Sequence, residues 1–326
     1  MAEPVSAPAS PPPPIAVEFP DIEGWAHGNT GVAYLWSFDS GNPGLHVAIQ
    51  ALTHGNEVCG AIALDFLLKQ QVRPLRGKLS LCFANTAAFA GWNPAEPFKS
   101  RFVDEDFNRV WAPAVLDGDR DTAELRRARV LRPFYDTLDY LLDIHSMSDT
   151  CPPLMLAGTR RKGIELALAL GYPEHIVVDG GHNAGRRLRD YGAFDDPQDP
   201  RTALLIECGQ HWTQASPLVA IQTALRFLRN FAMVSDEFVA LHLDPAPSPP
   251  QRLIEVTASV PIRTDAFTFV WPQDGSLAVV PNAGSLVARD GDIEIRTPYD
   301  RCALIMPMRR RAKPGDTAVR LGRFVS

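Results

Sequence analysis

The stretch "THGNE", residues 53–57, sets a histidine and a glutamate three positions apart around a glycine and an asparagine. Imidazole nitrogen and carboxylate oxygen are both zinc ligands, and a catalytic zinc needs three protein donors with a fourth position left open. His54 and Glu57 supply two. The third comes from "LLDIHSMSD", where His145 closes an apolar run and small polar residues follow. The long gap between the pair and the lone histidine suits a catalytic centre better than a structural zinc knuckle. Asp143, two residues before His145, shares its strand face and is placed to orient the imidazole.

Hydrolysis at such a centre needs a group to take a proton from water and pass it on. "ALLIECGQH" carries Glu207 near the end of an otherwise apolar strand, where a charge must have a partner or a purpose. Between the ligand segments, "KSRFVDEDFNRVW" offers Arg101, Asn108 and Arg109. Arginine forks match carboxylates, and one could steady an oxyanion. Taken singly each residue has a plain structural explanation: a surface HxxE, a hydrogen-bonded core histidine, an ion-paired glutamate, a helix cap. Their order and their placement at strand ends argue for one site.

The elements that must position these residues read as α/β. Apolar runs at 32–38, 45–52, 78–85, 141–146, 175–180 and 203–209 suit strands of a sheet covered on both faces. Helical spacing fills "EVCGAIALDFLLKQ", "DTAELRRARVLRPFYDTLDYLL" (with Pro133 expected to kink it) and "SPLVAIQTALRFLRNFAMV". This alternation predicts a largely parallel or mixed central sheet flanked by helices. Gly55 is expected to allow the sharp turn that brings His54 and Glu57 together. After residue 240 the texture changes: "HLDPAPSPPQR" reads as a linker, and short, turn-punctuated runs follow. The expected organisation is a Pro-rich disordered tail over 1–18, a catalytic α/β domain over 19–242 and a small all-β domain over 250–326.

Composition narrows the function. The 326 residues carry a net charge of −6 and no basic stripe, which argues against a nucleic-acid partner. No apolar run reaches the ~18 residues a membrane helix needs, and the N-terminus lacks the basic and apolar regions of a secretory signal. Five scattered cysteines without a CxxC pair fit reduced thiols in a cytoplasmic protein. "DGGHNAGRR", 179–187, has phosphate-loop glycine spacing. Arg186 and Arg187 replace the Lys and Ser or Thr, so nucleotide binding is excluded; His182 reads as a polar loop residue, with a spare metal ligand as the alternative. No GxSxG elbow is present.

The segments "THGNE", "RFVDEDFNRVW", "DIHS" and "IECGQH", in this order, resemble the succinylglutamate desuccinylase and aspartoacylase family, relatives of the zinc carboxypeptidases. The resemblance spans residues ~45–235 and extends to the β region. It implies a zinc-carboxypeptidase-like fold with one Zn²⁺ per chain held by His54, Glu57 and His145. It implies Glu207 as the general base and acid, Arg101 polarising the scissile carbonyl, and Asn108 and Arg109 holding a substrate carboxylate. The reaction would be hydrolysis of the amide of a small N-acyl amino acid, the β domain narrowing the mouth of the site. Family members place a tyrosine and an arginine before the base-bearing strand. Here Arg186, Arg187, Arg189, Tyr191 and Arg201 are available and spacing singles out none; Arg189 and Tyr191 are taken as substrate contacts. The family's C-terminal pocket tyrosine has no matching position, Tyr299 lying out of register. The alternatives are a zinc carboxypeptidase or esterase, and a metal-binding or ligand-sensing protein without turnover. Assembly into a homo-oligomer is left open.

Overall fold

The computed structural model describes residues 13–181, 184–271, 275–308 and 313–325. Most of the tail expected over 1–18 therefore lies outside the described residues. As far as residue 242 strands and helices alternate. The strands are β1 (Leu35–Asp39), β2 (His46–Ala51), β3 (Lys78–Phe83), β4 (Tyr140–Met147), β5 (Leu154–Leu156), β6 (His175–Val178) and β7 (Thr202–Gln210). Between and after them run α1 (Val58–Lys69), α2 (Thr86–Ala90), α3 (Pro113–Leu116), α4 (Ala123–Tyr135), α5 (Arg161–Ala169), α6 (Ala215–Asn230) and α7 (Asp236–His242). From there the described elements are strands: β8 (Arg252–Pro261), β9 (Phe267–Phe269), β10 (Ala278–Val280), β11 (Leu286–Asp290), β12 (Ile293–Arg296), β13 (Cys302–Ile305) and β14 (Thr317–Val325).

One mixed sheet of eleven strands organises the molecule, in the order β1-β3-β2-β4-β7-β5-β6-β8-β14-β13-β10. Its centre is parallel: β3, β2, β4 and β7 all run one way, so their carboxyl ends meet at one edge. That edge is where ligands bind in α/β sheets. β5 runs antiparallel to β7. β6 pairs in parallel with β8, and β8 joins β14 and β13 by antiparallel ladders, so the C-terminal strands continue the same sheet. β9, β11 and β12 form a separate three-stranded sheet.

The strands read as apolar throughout because both faces are covered. On β2, Val47, Ile49 and Ala51 pack with Leu64 and Leu67 of α1 and Phe227 of α6. The intervening Ala48 packs on the other face with Leu125, Ala128 and Leu131 of α4. Each large side chain so buried contributes about 1.5–3 kcal/mol, enough in sum to fix strand register against a one-residue slip. Gly60 keeps α1 close to the sheet, since a Cβ there would fall 2.8 Å from Ala51 Cβ. Thr122 caps α4 by accepting from Leu125 N, and Pro133 sits in the last turn, two residues before the helix ends. All five cysteines are buried and unpaired. Among the described residues no helix is long and apolar enough to cross a membrane.

Candidate metal centre

The parallel strand ends bring three donors together. His54 Nδ1 lies 2.8 Å from Glu57 Oε1, and His145 Nδ1 lies 2.9 Å from Glu57 Oε2. One donor atom of each residue lies within 4.8 Å of the others, and all three residues are buried. Glu57 stands at the N-cap of α1, yet its carboxylate caps nothing there and turns to the imidazoles. Gly55 serves this turn through space rather than dihedral freedom. A Cβ there would fall 2.4 Å from the backbone of Ala88, Phe89 and Ser100, while no left-handed φ is involved. The strained residue is instead Leu52, buried at φ +60°, a conformation costing a branched residue on the order of 1–2 kcal/mol.

Each imidazole is backed by a carboxylate on its far nitrogen. His54 Nε2 lies 2.9 Å from Asp106 Oδ1. His145 Nε2 lies 2.9 Å from Asp143 Oδ2, at an angle that makes no linear hydrogen bond. Asp143 Oδ1 is held by Thr53 Oγ1 at 2.8 Å and Gln50 Nε2 at 3.1 Å. Carboxylates behind ligating histidines fix the tautomer and strengthen the donor. The electrostatics favour positive charge at the centre. Burial pushes the Glu57 carboxyl up, but the two imidazoles outweigh it and hold it well below the usual range. Burial works against a proton on His145, and Asp143 and Glu57 overcome it and raise its pKa. The donor set, two imidazoles and a carboxylate in a field of acids, fits a divalent cation such as zinc.

Glu207 enters from the neighbouring strand, in register with His145 across the β4–β7 ladder. Its Oε2 is sealed from solvent and makes no hydrogen bond. Burial raises its pKa to about 8, with His145 opposing and Glu57 adding to the shift. Just beyond, the register slips: two steps on β4 (His145 to Met147) match three on β7 (Glu207 to Gln210), and Gly209 takes φ +99° at this bulge.

The segment 101–109 closes the other side. Arg101 donates to Glu57 Oε1 and Asp106 Oδ2, each at 3.2 Å. Glu124 pins this loop from α4, accepting from the backbone N of Val103, Asp104 and Glu105 at 2.7, 3.0 and 3.2 Å. Asn108 is buried and its Oδ1 accepts from Leu188 N at 2.9 Å, which ties the 179–190 loop to the site. Arg109 makes no ion pair among the described residues; its Nη1 donates to Asn108 O at 2.8 Å, and burial lowers its pKa.

His54, Glu57, His145, Glu207 and Arg101 are thus brought together, with Asn108 and Arg109 beside them. Arg189 and Tyr191 are not. Arg189 is buried against Asp190 and the carbonyls of Ala157 and Ala203. Tyr191 Oη donates to Asp136 Oδ1 at 2.8 Å and accepts from Arg132 Nε at 3.1 Å, facing α4. Both residues follow a strand and carry the right chemistry, but the 3-10 turn over Leu188–Asp190 aims them into the protein. His182 lies outside the described residues.

Asp106 and Arg320 escaped the sequence reading, and Arg187 was among the candidates that spacing did not single out. Asp106 sits in the acidic run "DED". Arg187 donates to Asp179 Oδ2 at 2.9 Å. Arg320, buried on β14 with its Nε 3.5 Å from Asp179 Oδ2, comes from the far end of the chain. Two cavities of about 380 and 300 Å³ meet along Asp179–Gly181; neither is lined by His54, Glu57, His145 or Glu207.

Comparison with known proteins agrees with this architecture. Structures of similar fold include succinylglutamate desuccinylase from Vibrio cholerae, at 16% identity and TM-score 0.67 over 90% of this chain and 86% of that one. An aspartoacylase family protein from Mesorhizobium loti matches at 18% identity and TM-score 0.61, over 90% and 89% of the two chains. The ectoine utilization protein EutE (DoeB) from Ruegeria pomeroyi matches at 16% identity and TM-score 0.58, over 91% and 92%. These likenesses define the fold, with its C-terminal β region. In sequence, residues 43–189 match the family model of the succinylglutamate desuccinylase/aspartoacylase catalytic domain. The resemblance drawn from the four motifs therefore holds over the segment that carries His54, Glu57, Arg101, Asn108, Arg109 and His145. No curated protein matches the chain significantly.

Proposed function

We propose that this chain is a zinc-dependent amidohydrolase that releases the amine from a small N-acyl amino acid. One observation carries the reading: the Nδ1 atoms of His54 and His145 meet the Glu57 carboxylate beside Glu207, whose Oε2 is buried without a hydrogen-bond partner. A buried carboxylate oxygen left unpaired is costly, and a proton-transfer role gives it a use.

Zinc held by His54, Glu57 and His145 would act as a Lewis acid, acidifying a water and favouring the ionised form of nearby carboxyls. Glu207 takes a proton from the attacking water as its oxygen bonds to the amide carbon, and returns that proton to the departing nitrogen as the C–N bond breaks. Arg101, partly open to solvent, turns its guanidinium to the scissile carbonyl and stabilises the oxyanion as it forms. Arg109, which makes no ion pair among the described residues, holds the carboxylate of the amino-acid moiety, and Asn108 holds Arg109's loop and that carboxylate in register. The β strands after residue 250 bring Arg320 to the same neighbourhood and restrict the site to small substrates. Reduced, buried thiols fit a cytoplasmic setting.

Free-amine release from N-acetyl, N-succinyl and longer N-acyl amino acids, with zinc-loaded protein, tests the reading. Cleavage of peptides or esters alone would favour the carboxypeptidase or esterase alternative. Zinc binding without turnover of any of them would favour a ligand sensor.

A further inference from the structure

The three residues that leave the β7 bulge, Gln210, His211 and Trp212, touch both ligand-bearing strand ends. Trp212 Nε1 donates to Asn56 O at 3.1 Å, inside the turn between His54 and Glu57. His211 Nδ1 and Ser146 Oγ share a hydrogen bond of 2.8 Å, and Ser146 follows His145 directly. Ser146 N in turn donates to Glu57 Oε2 at 3.2 Å. The backbone repeats the link, His211 N donating to Met147 O at 2.8 Å. Gln210 braces the run from within, its Oε1 accepting from Trp212 N at 2.9 Å and its Nε2 reaching Ser148 O at 3.4 Å.

His211, Trp212 and Ser146 are buried, at 2%, 0% and 3% exposure. Filling that space with apolar groups would satisfy packing and spare the desolvation of a hydroxyl and an imidazole. What a polar pair adds is direction: a hydrogen bond fixes the angle and spacing of two strand ends where apolar contact tolerates a slide. His211 is not itself a donor of the cluster formed by His54, Glu57 and His145. It acts on those ligands through Ser146.

We propose that Gln210–Trp212 is a clamp that sets the spacing of the metal ligands. Trp212 holds the turn carrying His54 and Glu57, and the His211–Ser146 hydrogen bond holds His145 and the backbone N–H that orients Glu57. His211 is a positioning residue, and the quantity it controls is metal affinity. The proposal rests on the reading of His54, Glu57 and His145 as the metal centre.

The test is zinc affinity of the metal-free full chain, measured by competition with a chromophoric chelator, beside the Tm of the metal-free protein. His211→Ala and Ser146→Ala are each expected to weaken zinc binding about 10–100-fold. The double variant should be no weaker than the poorer single one, because both act through one hydrogen bond. His211→Asn, which keeps an acceptor and a donor near the Nδ1 position, should recover most of the loss. A merely structural histidine would lower Tm and leave the affinity of the folded protein unchanged. Zinc binding by His211→Ala within about twofold of wild type, well short of the loss expected for such a partner, overturns the clamp; so does additivity of the two losses. If His211→Ala does not fold, Ser146→Ala decides by the same criterion. Wild type that binds no zinc overturns the metal-centre reading itself, an outcome distinct from equal affinities in wild type and variants.

Discussion

His145 and Glu207 face each other in register across two parallel strands, immediately before the ladder slips by one residue. The proposed ligand and the proposed base thus come from adjacent strands, on a scaffold buried from both faces, and their separation is set by strand pairing rather than by a loop. Parallel strands lie about 4.8 Å apart, so the two side chains are immediate neighbours on one face of the sheet.

The first consequence concerns Glu207. Replacing it with Gln keeps the shape and removes the proton acceptor. Turnover is expected to fall by about 10²–10⁴-fold, with zinc content unchanged by elemental analysis. Retained turnover in that variant would assign the proton transfer elsewhere.

Metal removal gives the second. Chelation should abolish amine release, and zinc should restore it. Zinc at about a hundred times its Kd should stabilise the fold by ~2.7 kcal/mol, seen as a higher Tm. Glu57→Gln should lose most of that increment, since it removes the charged donor between the two imidazoles.

Arg109 and Arg189 separate substrate binding from stability. Arg109→Ala should raise KM about 10–100-fold, the worth of one charge-assisted carboxylate contact, with Tm little altered. Arg189→Ala should instead destabilise the protein by about 1–3 kcal/mol, because the buried carbonyls of Ala157 and Ala203 lose their donor and Asp190 is left with Arg187 alone. Chemical denaturation and steady-state kinetics on both variants check the split.

The pH dependence of stability has a named contributor in His46. Burial, helped by the charge of Lys78, lowers its pKa to about 4, against the pull of Thr137, Asp139 and Asp39. Its ring is bonded to the hydroxyls of Ser80 and Thr137 at 2.8 and 3.1 Å. In the unfolded chain an imidazole titrates near ~6.5. Between those values the unfolded state holds a proton that the folded state refuses, so stability is full above the upper value and drains as pH falls toward the lower. Urea midpoints at neutral and mildly acidic pH should show the loss, and His46→Gln should lessen it.

How much was legible beforehand follows the range of each interaction. β2, β4, β7, α1 and α6 were readable because their apolar residues sit at fixed local periods. β5 is only three residues long, and α5 carries arginine, lysine and glutamate among its apolar positions, so neither stands out. His54, Glu57, His145 and Glu207 were legible because polar groups at the ends of apolar strands are conspicuous. Asp106 was hidden in an acidic run, its role fixed by contact with His54 across 52 residues. Arg189 and Tyr191 were misplaced relative to the cluster because a 3-10 turn decides where they point, and no period in the sequence reports that. Pro133 stands in the final turn of α4, which ends two residues later at Tyr135.

The most direct measurement is amine release from a panel of N-acyl amino acids, run with zinc-loaded wild type and Glu207→Gln side by side. The account predicts release by wild type, with one acyl group preferred, and near silence from the variant. No release by zinc-loaded wild type from any member of the panel, or equal release by both proteins, would contradict it.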